Sequence, residues 1–189
     1  MSAPVAQAIA VLAVDASPAG GGHTRAVLDA VAAAALAAGA TVDVVALGDD
    51  GTGIEATLDA LASSDAVLLA SPVYRASFAA PLKALLDAVP RSATAPPDSP
   101  LSGKAVAIAY TGASLHHFLA PDSLRSVLAG FFAAHVLPPG LYVPREGFDD
   151  SLALREPYSD QAQLQGAALV EFVRALRDSP VLRSLRPQA

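Results

Sequence analysis

The fold turns on one stretch, Ser71-Pro72-Val73-Tyr74-Arg75-Ala76-Ser77-Phe78-Ala79-Ala80-Pro81-Leu82-Lys83-Ala84-Leu85-Leu86-Asp87. Immediately before it, Asp65-Ala66-Val67-Leu68-Leu69-Ala70 is a short apolar run of the kind a strand covered on both faces needs. Pro72 is expected to break that strand, because proline cannot donate to a ladder. Phe78, Leu82, Leu85 and Leu86 then recur at helical spacing. They predict a helix that begins near Ala76 or Ser77, with Ser77 as N-cap, and stops at Pro90. Lys83 and Asp87 would form a solvent-side i,i+4 pair on it. Strand, polar turn and helix in this order place the turn at the carboxyl end of the strand, where open α/β sheets bind ligands.

Upstream, Ala8 to Val14 is a continuous apolar run and predicts a buried parallel strand. A turn follows over residues 15–22, then an alanine-rich helix from about Thr24 to Ala38, ended by Gly39. Thr41 to Leu47 alternates in part and suits a strand nearer an edge, and Ile54 to Ser63 a short helix. Downstream, residues 91–102 are rich in Pro, Ser and Ala and read as an exposed connection. Lys104 to Tyr110 makes a fourth strand, Thr111 to Ser114 a turn, and Asp122 to Ala134 a helix whose start lies near Leu115. Val136 to Val143, interrupted by Pro138, Pro139 and Gly140, is the fifth strand or its irregular equivalent. Asp160 to Arg177 closes the chain as a helix, residues 1–7 read as a frayed leader, and residues 178–189 as a tail without a core face. Strands alternating with helices predict one α/β domain over residues 1–189, a doubly wound five-stranded parallel sheet in the flavodoxin-like order 2-1-3-4-5.

Composition narrows the chemistry. With 189 residues the chain can bury a real core, and the net charge of −6 with 16% charged residues argues against nucleic acid, whose binders present a basic face. Cysteine is absent, which excludes disulfides, thiolate metal sites and thiol catalysis. Any redox work must therefore be carried by a cofactor. No secretory signal and no uninterrupted run of ~20 apolar residues stands out, so a cytoplasmic protein with no membrane contact is expected. The low charge and high apolar content favour a homo-oligomer.

Ser71 to Ser77 followed by Pro81-Leu82-Lys83-Ala84-Leu85-Leu86-Asp87 resembles the signature of the NAD(P)H-dependent FMN reductases. The closest likeness is to the small flavin reductases that serve sulfonate-type two-component monooxygenases. That resemblance implies FMN reduction with NADPH or NADH, a flavin-dependent monooxygenase as partner, and a dimeric or tetrameric assembly. It also implies a site made of three loops. The first, Ser17 to Thr24, offers small residues, free N–H groups, hydroxyls and a helix N-terminus, the parts of an anion site. Read on its own, the loop is equally a glycine-rich turn with Thr24 as an ordinary N-cap. The resemblance assigns the FMN phosphate to Ser17, His23 and Thr24. An arginine often follows the Ser-Pro pair in the family, where this chain has Ala19. The second loop is Pro72, Val73, Tyr74, Arg75 and Ser77, against the flavin ring. Tyr74 would stack and Arg75 would steer a nicotinamide cofactor's phosphates; the plainer reading of both is surface packing. The third is Thr111, Gly112, Ala113 and Ser114 with His117 as a polar wall, similar to a Thr-Gly-Gly turn with a histidine a few residues on. Further along, a family tyrosine associated with tetramer contacts is replaced by Ser123.

No Gly-x-Gly-x-x-Gly opens the first helix and no Gly-Lys-Ser/Thr ends the loop, so neither a dinucleotide fingerprint nor a P-loop is present. His116 and His117 are adjacent and diverge, and His23 and His135 lack carboxylates at ligand spacing, so no metal is expected. Three further readings stay open: a quinone, azo or chromate reductase that retains FMN, a flavodoxin-type electron carrier without pyridine-nucleotide activity, and a flavin-free α/β binding protein.

Overall fold

The structure is a computed structural model that describes residues 8–18, 20–91 and 99–187. The expectations for residues 1–7, Ala19, most of the 91–102 connection and the last two residues lie outside them.

Strand β1 (Ile9–Asp15) pairs in parallel with β2 (Ala40–Ala46) on one side and with β3 (Ala66–Tyr74) on the other. Strand β3 in turn pairs with β5 (Ala105–Gly112). The sheet path is β2-β1-β3-β5 and then β6 (His135–Val136), the expected order, with β2 at an edge. Successive side chains on a strand point to opposite faces, and the sequence uses that period to build two unlike cores. Ile9, Val11 and Ala13, Ala66, Leu68 and Ala70, and Ala105, Ala107 and Ala109 face helices α1 (Gly22–Ala37) and α5 (Tyr158–Arg177). Leu12, Val14, Val67, Leu69, Val106, Ile108 and Tyr110 face α2 (Ile54–Ser63), α3 (Ala80–Ala88) and α4 (Pro121–Ser126). The first face is alanine-rich, which lets its two helices lie close. At Gly166 of α5 an added Cβ would stand 2.3 Å from the Val31 carbonyl oxygen of α1.

Three expectations need correction. Pro72 does not end the third strand; β3 continues to Tyr74, with Pro72 in register with Thr111 of β5. The ladder to β1 stops at Ala70, so by Pro72 one side of β3 has no strand to donate to, and a missing N–H costs nothing there. The helix does not start at Ala76 or Ser77, and Ser77 is not its N-cap. Arg75 and Ala76 both take positive φ, 51° and 62°, and turn the chain back so that β4 (Ser77–Phe78) pairs antiparallel with the end of β3. Helix α3 then begins at Ala80, where the N–H of Ala79 donates to Ser71 Oγ at 2.9 Å. The fourth helix is shorter than expected and passes into a π-helical turn over Val127–Phe131. The fifth strand is interrupted, as expected, and arrives in two pieces, β6 (His135–Val136) and β7 (Leu141–Pro144), both parallel to β5. Prolines 138 and 139 lie between the two pieces and have no N–H for the ladder.

Lys83 and Asp87 form the expected exposed pair. Among the described residues, the tail after α5 holds only α6 (Pro180–Arg183), with no buried residue. No helix among the described residues is long and apolar enough to cross a membrane.

Candidate functional site

Parallel register brings the three predicted loops to one edge. Asp15 of β1 is opposite Ala70 of β3, and Pro72 of β3 is opposite Thr111 of β5. All three strands therefore release their chains at the same end of the sheet. Ala16 is tied across by its N–H donating to the Ala70 carbonyl at 2.9 Å.

Loop one and loop three are joined directly. Thr24 Oγ1 and Thr111 Oγ1 are 2.7 Å apart and both residues are buried, across 87 positions of sequence. Thr24 therefore does not cap α1. The N-cap is Gly21, no side chain among the described residues bonds to the helix's first N–H groups, and Gly20, Gly21 and Gly22 all take positive φ with open space where a Cβ would stand. Only glycine accepts that run of left-handed backbone without strain. A helix of 16 residues whose first turn lacks a side-chain acceptor is a seat for an anion.

Ser17 behaves differently. Its N–H and its hydroxyl both donate to Asp15 Oδ1, at 3.0 and 2.6 Å, so the hydroxyl proton is already committed. Asp15 is 1% exposed, and its second oxygen, Oδ2, has no partner among the described residues. His23, one turn of chain further on, packs edge-on against Phe148 with ring centroids 4.5 Å apart.

Loop two is the β3–β4 hairpin. Two consecutive residues at positive φ make a tight two-residue turn, a conformation costing non-glycine residues about 1–2 kcal/mol each. The turn leaves Tyr74 57% exposed and Arg75 exposed, with Pro72, Val73 and Ser77 half-buried. Among the described residues, neither Tyr74 nor Arg75 is held against another side chain by a bond or ion pair, and both are exposed.

Loop three rests on Tyr142 of β7. The Tyr142 hydroxyl donates to the Ser114 carbonyl at 2.6 Å, and burial, helped by nearby Glu146 and Tyr158, raises its pKa above the usual phenol range. Gly112 makes that approach feasible, since a Cβ on it would lie 2.0 Å from the tyrosine oxygen. Ser114 Oγ lies 3.1 Å from His116 Nδ1. His116 and His117 belong to one 3₁₀ turn (Leu115–His117) and are both exposed, as is Ala113. Of the two histidines it is His116 that bonds back to the loop. The three loops present an open surface. Cavities of about 520 and 780 Å³ exist elsewhere and are lined by none of them.

Thirteen residues were expected at the site, and the structure sets all of them at this one edge. It adds Asp15, Ser71, Tyr142 and Phe148. Asp15 carried one signal in the sequence, a lone carboxylate ending an apolar strand. Tyr142 and Phe148 carried none, since they reach the loops from β7 and the segment after it.

The chain matches the family described as NADPH-dependent FMN reductase over residues 9–148. It is 41% identical over 92 residues to the NADH-dependent FMN reductase SfnF of Pseudomonas putida, covering 49% of this chain and 46% of that one. It is 36% identical over 111 residues to an FMN reductase (NADPH) of Pseudomonas aeruginosa, covering 59% and 56%. The chain thus spans about half the length of the curated relatives it matches. Among solved structures, the apo form of the NADH:FMN oxidoreductase EMOB superposes with a TM-score of 0.71 at 23% identity, over 94% of this chain and 95% of that one. A flavodoxin-like WrbA-like protein from Agrobacterium tumefaciens superposes with a TM-score of 0.69 at 21% identity, over 89% and 99%. With a parallel sheet in flavodoxin-like order and a family match that spans most of its length, this chain belongs to the NADPH-dependent FMN reductase family.

Proposed function

We propose that this protein, acting as one flavin-binding domain, reduces FMN with NADPH or NADH. The observation that carries the reading is the open N-terminus of α1, held beside loop three by the Thr24–Thr111 hydrogen bond. Those features fit a phosphate-bearing ligand whose body lies across the hairpin. The seat consists of backbone donors and positive φ glycines, which approach a phosphate closely. When bound, FMN supplies a ring that accepts hydride from the nicotinamide, a step that depends on close, aligned stacking. The protein's part is to hold and orient. The N–H groups of α1 take the phosphate end, Pro72 to Ser77 and Gly112 to Ser114 flank the ring, and Tyr142 fixes loop three from below. No acid or base is required of the chain for this step.

Two features favour a flavin that exchanges over one that stays. The loops are open to solvent, and Asp15 places a carboxylate behind the phosphate loop while occupying the Ser17 hydroxyl. An exchanging flavin suits supply of reduced FMN to a flavin-dependent monooxygenase, a role in keeping with the sulfonate-type resemblance. Exposed Tyr74, Leu115, Phe118 and Leu119 around the site support a homo-oligomer, dimer or tetramer. A cytoplasmic location belongs to the same proposal and suits a chain without cysteine.

The test is NAD(P)H oxidation by protein purified without added flavin, followed by titration with FMN. Activity that is nearly absent at first and saturates with FMN is expected. Turnover of a quinone or azo acceptor by retained flavin, unchanged on adding FMN, would favour the prosthetic-FMN reductase. Flavin binding without NAD(P)H oxidation would favour the electron carrier, and absence of both would end the enzyme reading.

A further inference from the structure

The hairpin that carries Tyr74 and Arg75 is poorly supported by its own backbone. Its return strand β4 has two residues, so the ladder consists of Val73 opposite Phe78 and Tyr74 opposite Ser77. A two-stranded ladder is marginal even when longer. The apex adds strain, since Arg75 and Ala76 hold positive φ without being glycine. Continued by one position toward the base, the same register sets Pro72 opposite Ala79. Pro72 has no N–H, so the backbone alone cannot complete that rung.

The Ser71 hydroxyl stands in for it. Its oxygen accepts the Ala79 N–H at 2.9 Å, and its proton goes to the Pro72 carbonyl at 3.0 Å. One side chain thus bridges both arms of the hairpin at their base, between the end of β3 and the start of α3. Ser71 is 0% exposed, so loss of the hydroxyl takes a partner from backbone groups that water does not readily reach. Its own backbone is held independently, in register with Tyr110 of β5. Removing the hydroxyl therefore acts on the hairpin and not on the sheet.

We propose that Ser71 is a positioning residue for the flavin ring: its hydroxyl closes the hairpin and so sets the surface that loop two offers to the ring. The inference rests on the reading of this edge as a flavin site. It gives the two ends of the ligand separate controls, because loop one is held by Asp15 on Ser17 and by the Thr24–Thr111 bond instead. If only the closed hairpin accepts the ring, opening it weakens FMN and riboflavin by one common factor, whatever the phosphate contributes.

Affinities of FMN and riboflavin, from quenching of flavin fluorescence well below Tm, test it together with amide hydrogen exchange. Ser71→Ala should weaken both flavins about five-fold with their ratio unchanged, and speed exchange of the Ala79 N–H about ten-fold. A purely global loss of stability would leave affinities of the folded protein where they were. Ala76→Gly accepts the left-handed turn freely, so adding it to Ser71→Ala should restore most of the lost affinity. Ser71→Cys fills the same space with a weaker hydrogen-bonding group; it should give a smaller loss in the same direction, and carries the test if Ser71→Ala does not fold. The inference is overturned, with the reductase reading left standing, by any of four results: FMN binding without riboflavin binding in the unaltered protein, unchanged riboflavin affinity in the Ser71 variants, a loss confined to FMN, or no recovery on adding Ala76→Gly. Absence of all flavin binding by the unaltered protein would overturn both.

Discussion

Gly112→Ala offers a direct test of how loop three is held. The backbone there does not require glycine, since Gly112 is absent from the residues at positive φ. Its role is spatial: an added Cβ would lie 2.0 Å from Tyr142 Oη and 2.9 Å from Cζ. The ring is buried and must withdraw, breaking its 2.6 Å hydrogen bond to the Ser114 carbonyl. Losing that bond costs about 0.5–1.5 kcal/mol, and forcing a carbon into a packed site about 1–3 kcal/mol. The combined loss of roughly 2–4 kcal/mol lowers Tm by about 5–15 °C for a chain of this size. Tyr142→Phe alone removes the offending oxygen at a cost of about 1 kcal/mol. In that background Gly112→Ala should cost less than half as much, because only the ring-carbon contacts at 2.9 and 3.3 Å remain to be relaxed. Thermal melts of the four proteins in this double-mutant cycle, with FMN affinity from quenching of flavin fluorescence, give both readouts. The single Gly112→Ala variant should weaken FMN at least ten-fold, with partial recovery in the double variant. An unchanged Tm, or the same cost in both backgrounds, would refute the claim that this glycine exists to admit the tyrosine.

Two other expectations follow from buried polar groups. Tyr110 points into the core with a hydroxyl that has no partner among the described residues, and burial alone raises its pKa well above the ordinary value of 10. Unfolding frees that phenol to ionise, so the stability it contributes is complete below pH 10 and is lost as pH rises beyond it. Tyr110→Phe should stabilise the protein by about 1 kcal/mol at pH 7 and make the alkaline loss shallower in melts between pH 9 and 11; an equal or steeper slope would contradict this. Asp15→Asn removes a negative charge behind the phosphate loop while keeping an acceptor for Ser17. FMN affinity should rise about five-fold, on the order of 1 kcal/mol for one charge across a partly exposed site, and an unchanged or weaker affinity would argue that the phosphate lies elsewhere.

The sheet was legible because buried parallel strands are written as unbroken apolar runs, and Ala8 to Val14 and Ala66 to Ala70 are both of that kind. The loop cluster was legible for a related reason, since strand ends in such a sheet converge at one edge. What escaped depended on neighbours distant in sequence. Whether Pro72 breaks a strand depends on where β1 stops, which no local pattern states. Ser77 looks like a helix cap, but its role is decided by Arg75 and Ala76 taking a left-handed turn that their side chains do not favour. Thr24 has the right chemistry to cap α1; its partner is instead Thr111, which only the tertiary fold brings near. Asp15 and Tyr142 escaped in the same way, one hidden as a strand terminus and the other arriving from β7.

The divided fifth strand bears on how copies of this protein can join. A sheet edge recruits a neighbouring chain by offering a regular row of N–H and C=O groups. At β6 and β7 that row is two residues, a gap with consecutive prolines, then four residues. No strand of useful length can zip onto such a margin. The opposite margin, β2, is an unbroken seven residues. Docking by sheet extension is thus polarised: it can proceed at β2 and is blocked at the proline-bearing margin, so chains cannot stack edge to edge into an open-ended ribbon.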